Sequence, residues 1–484
     1  MKKIINIISV CCLLLLATSC SDWLDVNPKK NIKEEELFST EQGFKEALTG
    51  IYMAMCDVSL YGRQLTYGFM DILAQRYDTQ SDTEILDYTR TDWYTFPSNQ
   101  TETYTNRFWS GHYNIIANIN NFLTNLEAKG DVVTSDGYRD IMKGEMLGLR
   151  SFLYFDLLRM FGPVYKDNPA SPTLPYRTEF DRSIVRLMPA SELVDNLITS
   201  LKEAERLLEN DPMNISFPTV GSYDEEVDPF LDYRFNRMNK FAVKAVLARV
   251  YLYKGDAQSK TLAVDYADQV IKASKGNSRL FTLVTDNATD PVCSTELVFA
   301  LSMDSEKYDD QIDLDFKAGM TNAYFIKNRD RVYELFDTEA DGYNDMRMKE
   351  GQGFTISNTG SYTLKFRQTG LFSPAIENLM PLIRLPEMYY ILAECTADLS
   401  ESAETLSVVR SARGLSSIEV FANEEEKQKE IEKEYRKELY GEGQLWYFYK
   451  RLGYKTFQFC PVNNMTESNY RFPIPDDEKA LGGI

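Results

Sequence analysis

The chain has 484 residues, of which 43% are hydrophobic and 13% aromatic, enough to bury a large core and too many for a disordered chain. Its 53 basic and 73 acidic residues give a net charge of −20, which opposes binding to the phosphates of nucleic acids. The single histidine excludes a histidine-rich metal site and leaves little scope for histidine-based catalysis, whereas carboxylate chemistry stays open.

The first residues have the form of a bacterial lipoprotein signal. A basic pair precedes the apolar run 4–17, which is too short to span a bilayer as a stable helix. Small residues lead directly into Cys20, and a polar segment follows it. We therefore predict a signal peptide over 1–19 and a lipid on Cys20. The alternative is an ordinary cleaved signal with an accidental cysteine, and the usual leucine stands one place early, at Leu16.

Helical periodicity dominates the rest of the chain. The segments FWSGHYNIIANINNFLTNLEAKGD and YRDIMKGEMLGLRSFLYFDLLRMFGPV repeat apolar residues at spacings of three and four, which predicts an antiparallel helical pair. A second pair, RMNKFAVKAVLARVYLYKGD and TLAVDYADQVIKASKG, combines small alanines with a Gly-Asp turn, a pattern typical of tetratricopeptide units. Further helices are predicted in TEQGFKEALTGIYMAM, SELVDNLITSLKEAERLL, LPEMYYILAECTADLS and SAETLSVVRSARGL.

These segments predict a mainly α fold, in which tetratricopeptide-like helical pairs form one globular body with long loop inserts and a few short strands. The inserts cover residues 57–108, 163–189, 210–238 and 277–380, and they are rich in polar and aromatic residues. Runs such as ELVFALSM and YTLKFRQ in the last insert predict short strands. Loops held on a rigid scaffold commonly carry binding function.

Three charged or titratable features have structural interpretations. EEEKQKEIEKEYRKEL has the charge spacing of a helix with a solvated face. DDQIDLDF lacks the glycine and the terminal glutamate of an EF-hand, so an acidic loop is favoured over a calcium site. His112 stands at a helix start and is interpreted as structural. Because no motif for a nucleotide, a metal or a nucleophile stands out, we predict no metal and no cofactor.

Aromatic residues in the polar loops predict a sugar-binding surface. Sugar rings expose apolar C–H faces that stack on flat aromatic rings, while amide and guanidinium groups bond their hydroxyls. The candidate ligand-binding residues are Trp93, Tyr94, Tyr308, Asn322, Tyr324 and Arg329. The alternative is that these rings pack the loops onto the scaffold.

Taken in order, several segments resemble the SusD/RagB family of outer-membrane nutrient-uptake lipoproteins. They are SDWLDVNP after Cys20, FSTEQGFKEALTGIYMAM, WSGHYNIIANINNFL, GEMLGLRSFLYFDLLRMFGPVY, RMNKFAVKAVLARVYLYKGD, MPLIRLPEMYYILAEC, SVVRSARGL, EIEKEYRKELYGEGQLWYFYKRLG and YRFPIPDDEKALGGI. The resemblance covers essentially the whole chain after the signal. One departure is Gln444, where the family commonly has a basic or aromatic residue.

The resemblance implies one SusD-like α-helical domain over 20–484, with interdigitated halves of about 20–275 and 276–484. It implies a protein anchored by lipid to the outer membrane of a Gram-negative bacterium, exposed at the cell surface. Such a protein binds an oligosaccharide without catalysis and delivers it to a SusC-like TonB-dependent β-barrel transporter, with a ligand face built from loops corresponding to residues 60–105 and 280–340.

Two other functions stay open at this point. Tetratricopeptide-type arrays also serve as surface scaffolds that bind peptides or proteins. A glycoside hydrolase that uses two carboxylates is the third candidate, because spacing along the sequence cannot reveal such a pair.

Overall fold

The computed structural model describes residues 34–78, 94–96, 101–213, 229–317, 324–367 and 377–482. The predicted signal peptide and three predicted site residues, Cys20, Trp93 and Asn322, lie outside these ranges.

The described residues form sixteen α-helices, joined by turns and short 3-10 segments. They are α1 (Glu34–Leu37), α2 (Glu41–Met55), α3 (Phe69–Leu73), α4 (Glu102–Lys129), α5 (Tyr138–Phe161), α6 (Ala190–Leu207), α7 (Lys240–Lys254), α8 (Ala257–Ile271), α9 (Ser305–Phe316), α10 (Arg329–Leu335), α11 (Leu385–Cys395), α12 (Leu399–Ala412), α13 (Glu424–Glu438), α14 (Leu445–Leu452), α15 (Glu467–Tyr470) and α16 (Asp476–Gly482). Every helix predicted from the apolar periodicity is present.

The strands are short and pair only in twos within the described residues. They are β1 (Pro172–Pro175), β2 (Leu187–Pro189), β3 (Ser274–Lys275), β4 (Ser278–Arg279), β5 (Leu297–Ser302), β6 (Phe354–Thr355), β7 (Tyr362–Thr363) and β8 (Leu379–Arg384). The most buried pair is β5 with β8, antiparallel, with Phe299 opposite Ile383 and Leu301 opposite Met380. Both strands are almost fully buried, which explains their nearly continuous apolar sequences.

The turn between α7 and α8 shows how local sequence sets the helix ends. Asn239 caps α7, because its side chain accepts hydrogen bonds from the backbone N–H groups of Phe241 and Ala242. Gly255 ends α7 with a positive φ of 74°, a conformation that suits glycine. Asp256 then caps α8 by accepting from the N–H of Ser259. The predicted Gly-Asp turn of the helical pair is therefore confirmed.

The long helices pack side by side largely in chain order. α4 lies against α5, α5 against α6, α6 against α7 and α7 against α8; α8 then contacts α11, which pairs with α12. One cluster of buried apolar side chains includes residues from Phe38 to Phe472, so early and late elements share a core. The prediction of a mainly α body built on helical pairs is confirmed.

One prediction about a charged segment is wrong, and another is confirmed only in part. The run DDQIDLDF lies in α9 instead of a loop, and its Asp315 is buried against Arg63. The segment EEEKQKEIEKEYRKEL forms α13, but only its first half has the expected solvated character. The second half buries Glu434 and Glu438, because arginines from other elements surround their carboxylates. Charge spacing along one helix could not reveal these distant partners.

None of the helices in the described part of the chain is long and apolar enough to cross a bilayer.

Candidate functional site

A cleft with a volume of about 1080 Å³ lies where three distant segments meet. One wall is the end of α2 and the turn after it, the second is a face of α4, and the third is the connection from β5 into α9. The segments that line it are residues 53–62, 107–115 and 302–311, with Tyr67 behind them. The third segment and the last residues of the first lie within the two loop regions in which the family resemblance implies the ligand face.

The turn after α2 is compact and strongly constrained. Asp57 accepts hydrogen bonds from the N–H and the hydroxyl of Ser59, at 2.7 and 2.6 Å. A Cβ atom on Gly62 would lie 2.2 Å from the carbonyl oxygen of Cys56, so only glycine fits there. Burial raises the pKa of the Cys56 thiol to about 12, which keeps it protonated and unreactive.

A buried ionic contact holds this turn against α9. The Arg63 guanidinium donates to both carboxylate oxygens of Asp315, at 2.8 and 2.6 Å, and the Tyr67 hydroxyl donates to the same carboxylate at 3.1 Å. Gln311 adds a fourth hydrogen bond at 2.7 Å. Burial and the neighbouring carboxylate raise the pKa of Tyr67 well above its usual value, so the hydroxyl stays a donor.

The α4 wall presents a row of polar groups. Arg107, Ser110 and Asn114 line the cleft and are exposed. The side chains of Arg107 and Asn114 make no hydrogen bond or ion pair with any residue that the structure describes. Between them, Gly111 lets the turn approach α4, since a Cβ atom there would lie 2.9 Å from a methyl carbon of Leu60.

The third wall joins an exposed ion pair to buried aromatic residues. Lys307 lies 3.4 Å from Asp304, and both side chains are largely exposed, so solvent screens their attraction. Tyr308 also lines the cleft, but it is only 3% exposed and its hydroxyl donates to the carbonyl of Phe366. The apolar part of the cleft comes from residues such as Met53 and Val58, which are 69% and 52% exposed.

An aromatic cluster lies behind the cleft. The Tyr67 ring contacts Phe316, Tyr324 and Phe366, with centroids 5.1 to 5.9 Å apart. The Arg63 guanidinium lies 5.1 Å from the centre of the Tyr324 ring. These edge and tilted contacts are typical of packed aromatic cores, and they fix the loop that carries α9 against the turn after α2.

The predicted site residues are distributed unevenly around this geometry. Tyr308 lies in the cleft wall and Tyr324 in the cluster behind it, each 3% exposed. Tyr94 is fully buried elsewhere: its hydroxyl donates to the carbonyl of Leu73 and its ring contacts Trp446. These three rings pack the loops onto the scaffold, as in the alternative interpretation of the sequence. Arg329 is about half exposed at the start of α10, 3.8 Å from Asp330.

Sequence reasoning missed the polar row of α4. Arg107 and Asn114 are seven residues apart, so they lie on the same helix face two turns apart. That periodicity was visible in RFWSGHYN, where polar and small residues recur at spacings of three and four. The sequence could not show that the turn after α2 and α9 would enclose this face.

Family models of known proteins match the segments that form the cleft. A family model described as "Starch-binding associating with outer membrane" matches residues 22–220, and the SusD family model matches residues 296–479. Together the two matches include all three walls of the cleft. The chain belongs to the SusD/RagB family.

Two curated relatives come from Formosa agariphila. SusD-like protein P38 is 23% identical over 98% of this chain and 97% of its own length. SusD-like protein P2 is 25% identical over 51% of this chain, and the match spans 42% of that protein.

Solved structures share the fold. A SusD superfamily protein from Bacteroides thetaiotaomicron has a TM-score of 0.69 at 21% identity, covering 92% of this chain and 98% of that one. A structure described as a laminarin-binding SusD-like protein has a TM-score of 0.63 at 18% identity, covering 92% and 98% of the two chains.

Proposed function

We propose that this SusD/RagB protein is a non-catalytic, lipid-anchored surface protein that binds an oligosaccharide and delivers it to a SusC-like TonB-dependent outer-membrane transporter. The cleft is the observation that carries the proposal. Its volume of about 1080 Å³ lies at the upper end of ligand sites, so it has room for several sugar units.

The walls of the cleft suit a sugar chain. Arg107 and Asn114 are two helical turns apart, about 10 Å along the axis, so they can bond hydroxyls on different units of an extended ligand. Apolar side chains such as Met53 and Val58 offer surface for the C–H faces of the rings. The structural neighbour described as laminarin-binding supports a glycan as the ligand class.

The acids of the cleft support binding over catalysis. Asp57 is occupied by two hydrogen bonds from Ser59, and Asp304 lies beside Lys307. A glycoside hydrolase needs one carboxylic acid with a raised pKa opposite a free carboxylate. We expect no product when the purified protein is incubated with glycans, and release of shortened oligosaccharides would contradict the proposal.

Calorimetric titration with laminarin, starch, xylan and mannan tests the cleft. We expect Asn114→Ala to weaken binding of the preferred glycan by about three- to tenfold, the loss of one hydrogen bond. Asn118→Ala is the matched control, because Asn118 is exposed one turn further along α4 and does not line the cleft. Equal affinities for the two variants would contradict the location of the site. Peptide binding without glycan binding would favour the scaffold function.

The lipid anchor and the transporter call for a cellular experiment. We expect the native protein to fractionate with outer membranes and to co-purify with a large β-barrel protein. A Cys20→Ser variant should lose the membrane association, because Cys20 is the proposed acylation site. Unchanged fractionation of that variant would contradict the lipoprotein assignment.

Trp93, Asn322 and Arg329 stay candidate ligand residues. The calorimetric titration with glycans should therefore also include the alanine variants of these three residues.

A further inference from the structure

A second groove lies on another face of α4. It has a volume of about 360 Å³, and the α4 residues that line it include Trp109, Tyr113 and Asn120. The large cleft uses Arg107 and Asn114 instead. At 3.6 residues per turn these two sets point in roughly opposite directions, so a sugar of one or two units in one place does not reach the other.

The opposite wall of the groove is the loop between β1 and β2, which is held in one shape. The Arg177 guanidinium donates to the carbonyl oxygens of Ser183 and Asp181, at 2.5 and 2.7 Å. The Asp181 carboxylate accepts from the N–H and the hydroxyl of Ser183, and these hydrogen bonds keep the pKa of Asp181 below its usual value.

The base of this loop is tied to buried residues of α4 and α5. The backbone of Arg177 exchanges hydrogen bonds with the Tyr154 hydroxyl, at 2.7 and 2.9 Å. Asn120 and Arg150 donate to carbonyls of the loop at 3.2 Å. A loop fixed in this way loses little conformational entropy when a ligand binds.

The fixed loop exposes an aromatic ring at the groove. Phe180 lines the groove and is 52% exposed, although an aromatic side chain of this size usually gains from burial. The Tyr113 ring lines the groove on the α4 side, and its hydroxyl is fixed by the carbonyl of Pro175. The Arg182 guanidinium is exposed and makes no hydrogen bond or ion pair with any residue in the described ranges.

The charges of the groove select among ligand classes. Its lining combines three carboxylates, Glu179, Asp181 and Glu478, with two guanidinium groups, Arg177 and Arg182. The Arg177 guanidinium is already occupied by hydrogen bonds within the loop. This excess of acid opposes an anion, and the charged rim opposes a purely apolar ligand. An exposed ring beside hydrogen-bonding groups suits a neutral sugar.

We propose that this groove is a second saccharide site, which binds one or two neutral sugar units by stacking on Phe180. The ligand class rests on the proposed function, whereas the location rests on the groove itself. Two sites on opposite sides of α4 would let the protein hold a long glycan at two points, which raises its apparent affinity through effective concentration.

Calorimetry tests the proposal with the whole chain after the predicted signal peptide. The probes are short oligosaccharides of glucose (α- and β-linked), xylose and mannose. We expect a stoichiometry of two for at least one of these probes. The Arg107→Ala, Asn114→Ala double variant weakens the large cleft, so the binding that remains reports on the groove. In this background, Phe180→Ala should weaken the remaining binding about tenfold. Phe180→Tyr should preserve it, because tyrosine keeps the aromatic ring. Val420→Ala is the control, since Val420 is an exposed apolar residue outside both sites.

The outcomes separate this proposal from the function of the large cleft. A stoichiometry of one that responds to Asn114→Ala but not to Phe180→Ala overturns the second site and leaves the first intact. The same holds if Phe180→Ala leaves sugar binding unchanged and reduces only co-purification of the transporter, because the loop is then a protein contact. Absence of binding to every probe overturns both.

Discussion

His112, Tyr61 and Asp156 form a buried chain of hydrogen bonds, and the first two are sequence neighbours of residues that line the cleft. The Nδ1 of His112 lies 2.7 Å from the carbonyl of Phe108, so it must carry the proton. In the neutral ring Nε2 is then an acceptor, and it lies 3.0 Å from the Tyr61 hydroxyl. That hydroxyl is also 2.8 Å from the Asp156 carboxylate, and its single proton can serve only one of the two.

This arrangement predicts a pH-dependent stability. Burial lowers the pKa of His112, and the Asp156 charge opposes the effect without cancelling it. Below the unfolded value of about 6.5 the unfolded chain therefore binds more protons than the folded one, and stability falls as the pH is lowered. Relative to His112→Gln, the wild type should lose free energy of unfolding from about pH 7 to pH 5. Urea titrations at each pH measure the difference, and parallel curves would contradict the prediction.

At the scale of elements, the contact between the turn after α2 and α9 decides the shape of the cleft. Asp315 accepts hydrogen bonds from Arg63, Tyr67 and Gln311. Without its carboxylate, the donors of these three residues would lose this acceptor. Arg63 and Asp315 are about 250 positions apart, so this contact joins distant segments of the chain.

Asp315→Ala should therefore damage both stability and binding. Removing one partner from a fully buried ion pair costs about 3–5 kcal/mol, and we expect about 2–3 kcal/mol here, because the Arg63 side chain is 23% exposed. We expect a loss of this size in urea unfolding, together with weaker glycan binding at a temperature where the variant is folded. Asp313→Ala is the control, because Asp313 is about half exposed on the same helix. Equal effects of the two substitutions would show that the contact is not essential.

The second half of α13 forms a buried ionic network. Glu438 accepts hydrogen bonds from Arg347, Arg384 and Arg413, and these charges lower its pKa well below the usual value. Glu296 shares Arg384 and Arg413, but burial outweighs them and raises its pKa.

Glu438→Ala should destabilise the protein by about 3–5 kcal/mol, since three buried guanidinium groups lose an acceptor. Glu425→Ala, on the exposed first turn of the same helix, should change the free energy of unfolding by less than about 0.5 kcal/mol. Chemical denaturation of both variants measures the contrast. A small effect of Glu438→Ala would mean that Glu296 and water replace its contacts.

At the scale of the whole molecule, early and late parts of the chain depend on each other. The apolar cluster from Phe38 to Phe472 is continuous, and Asp71 accepts from the N–H groups of Gly441 and Gly443 at 2.6 and 3.1 Å. No boundary between the predicted halves interrupts these contacts among the described residues.

We therefore propose that the chain after the signal is one domain and predict that it unfolds in a single transition. Tryptophan fluorescence and far-ultraviolet circular dichroism should give coincident denaturation curves, because the halves share one core. Two separated transitions would contradict the single-domain proposal. A truncated chain ending near residue 275 should be insoluble on its own, since it would expose half of that core.

Local sequence was enough to specify the helices and their pairing, because apolar periodicity, caps such as Asn239 and the Gly255 turn act over a few residues. The family resemblance rested on these same segments. Which polar groups meet depended on the folded chain: Arg107 and Asn114 became one wall of a cleft when the turn after α2 and α9 enclosed them. Folding also buried Tyr94, Tyr308 and Tyr324, and the acidic end of α13, because burial depends on partners in other segments of the chain that no local pattern encodes.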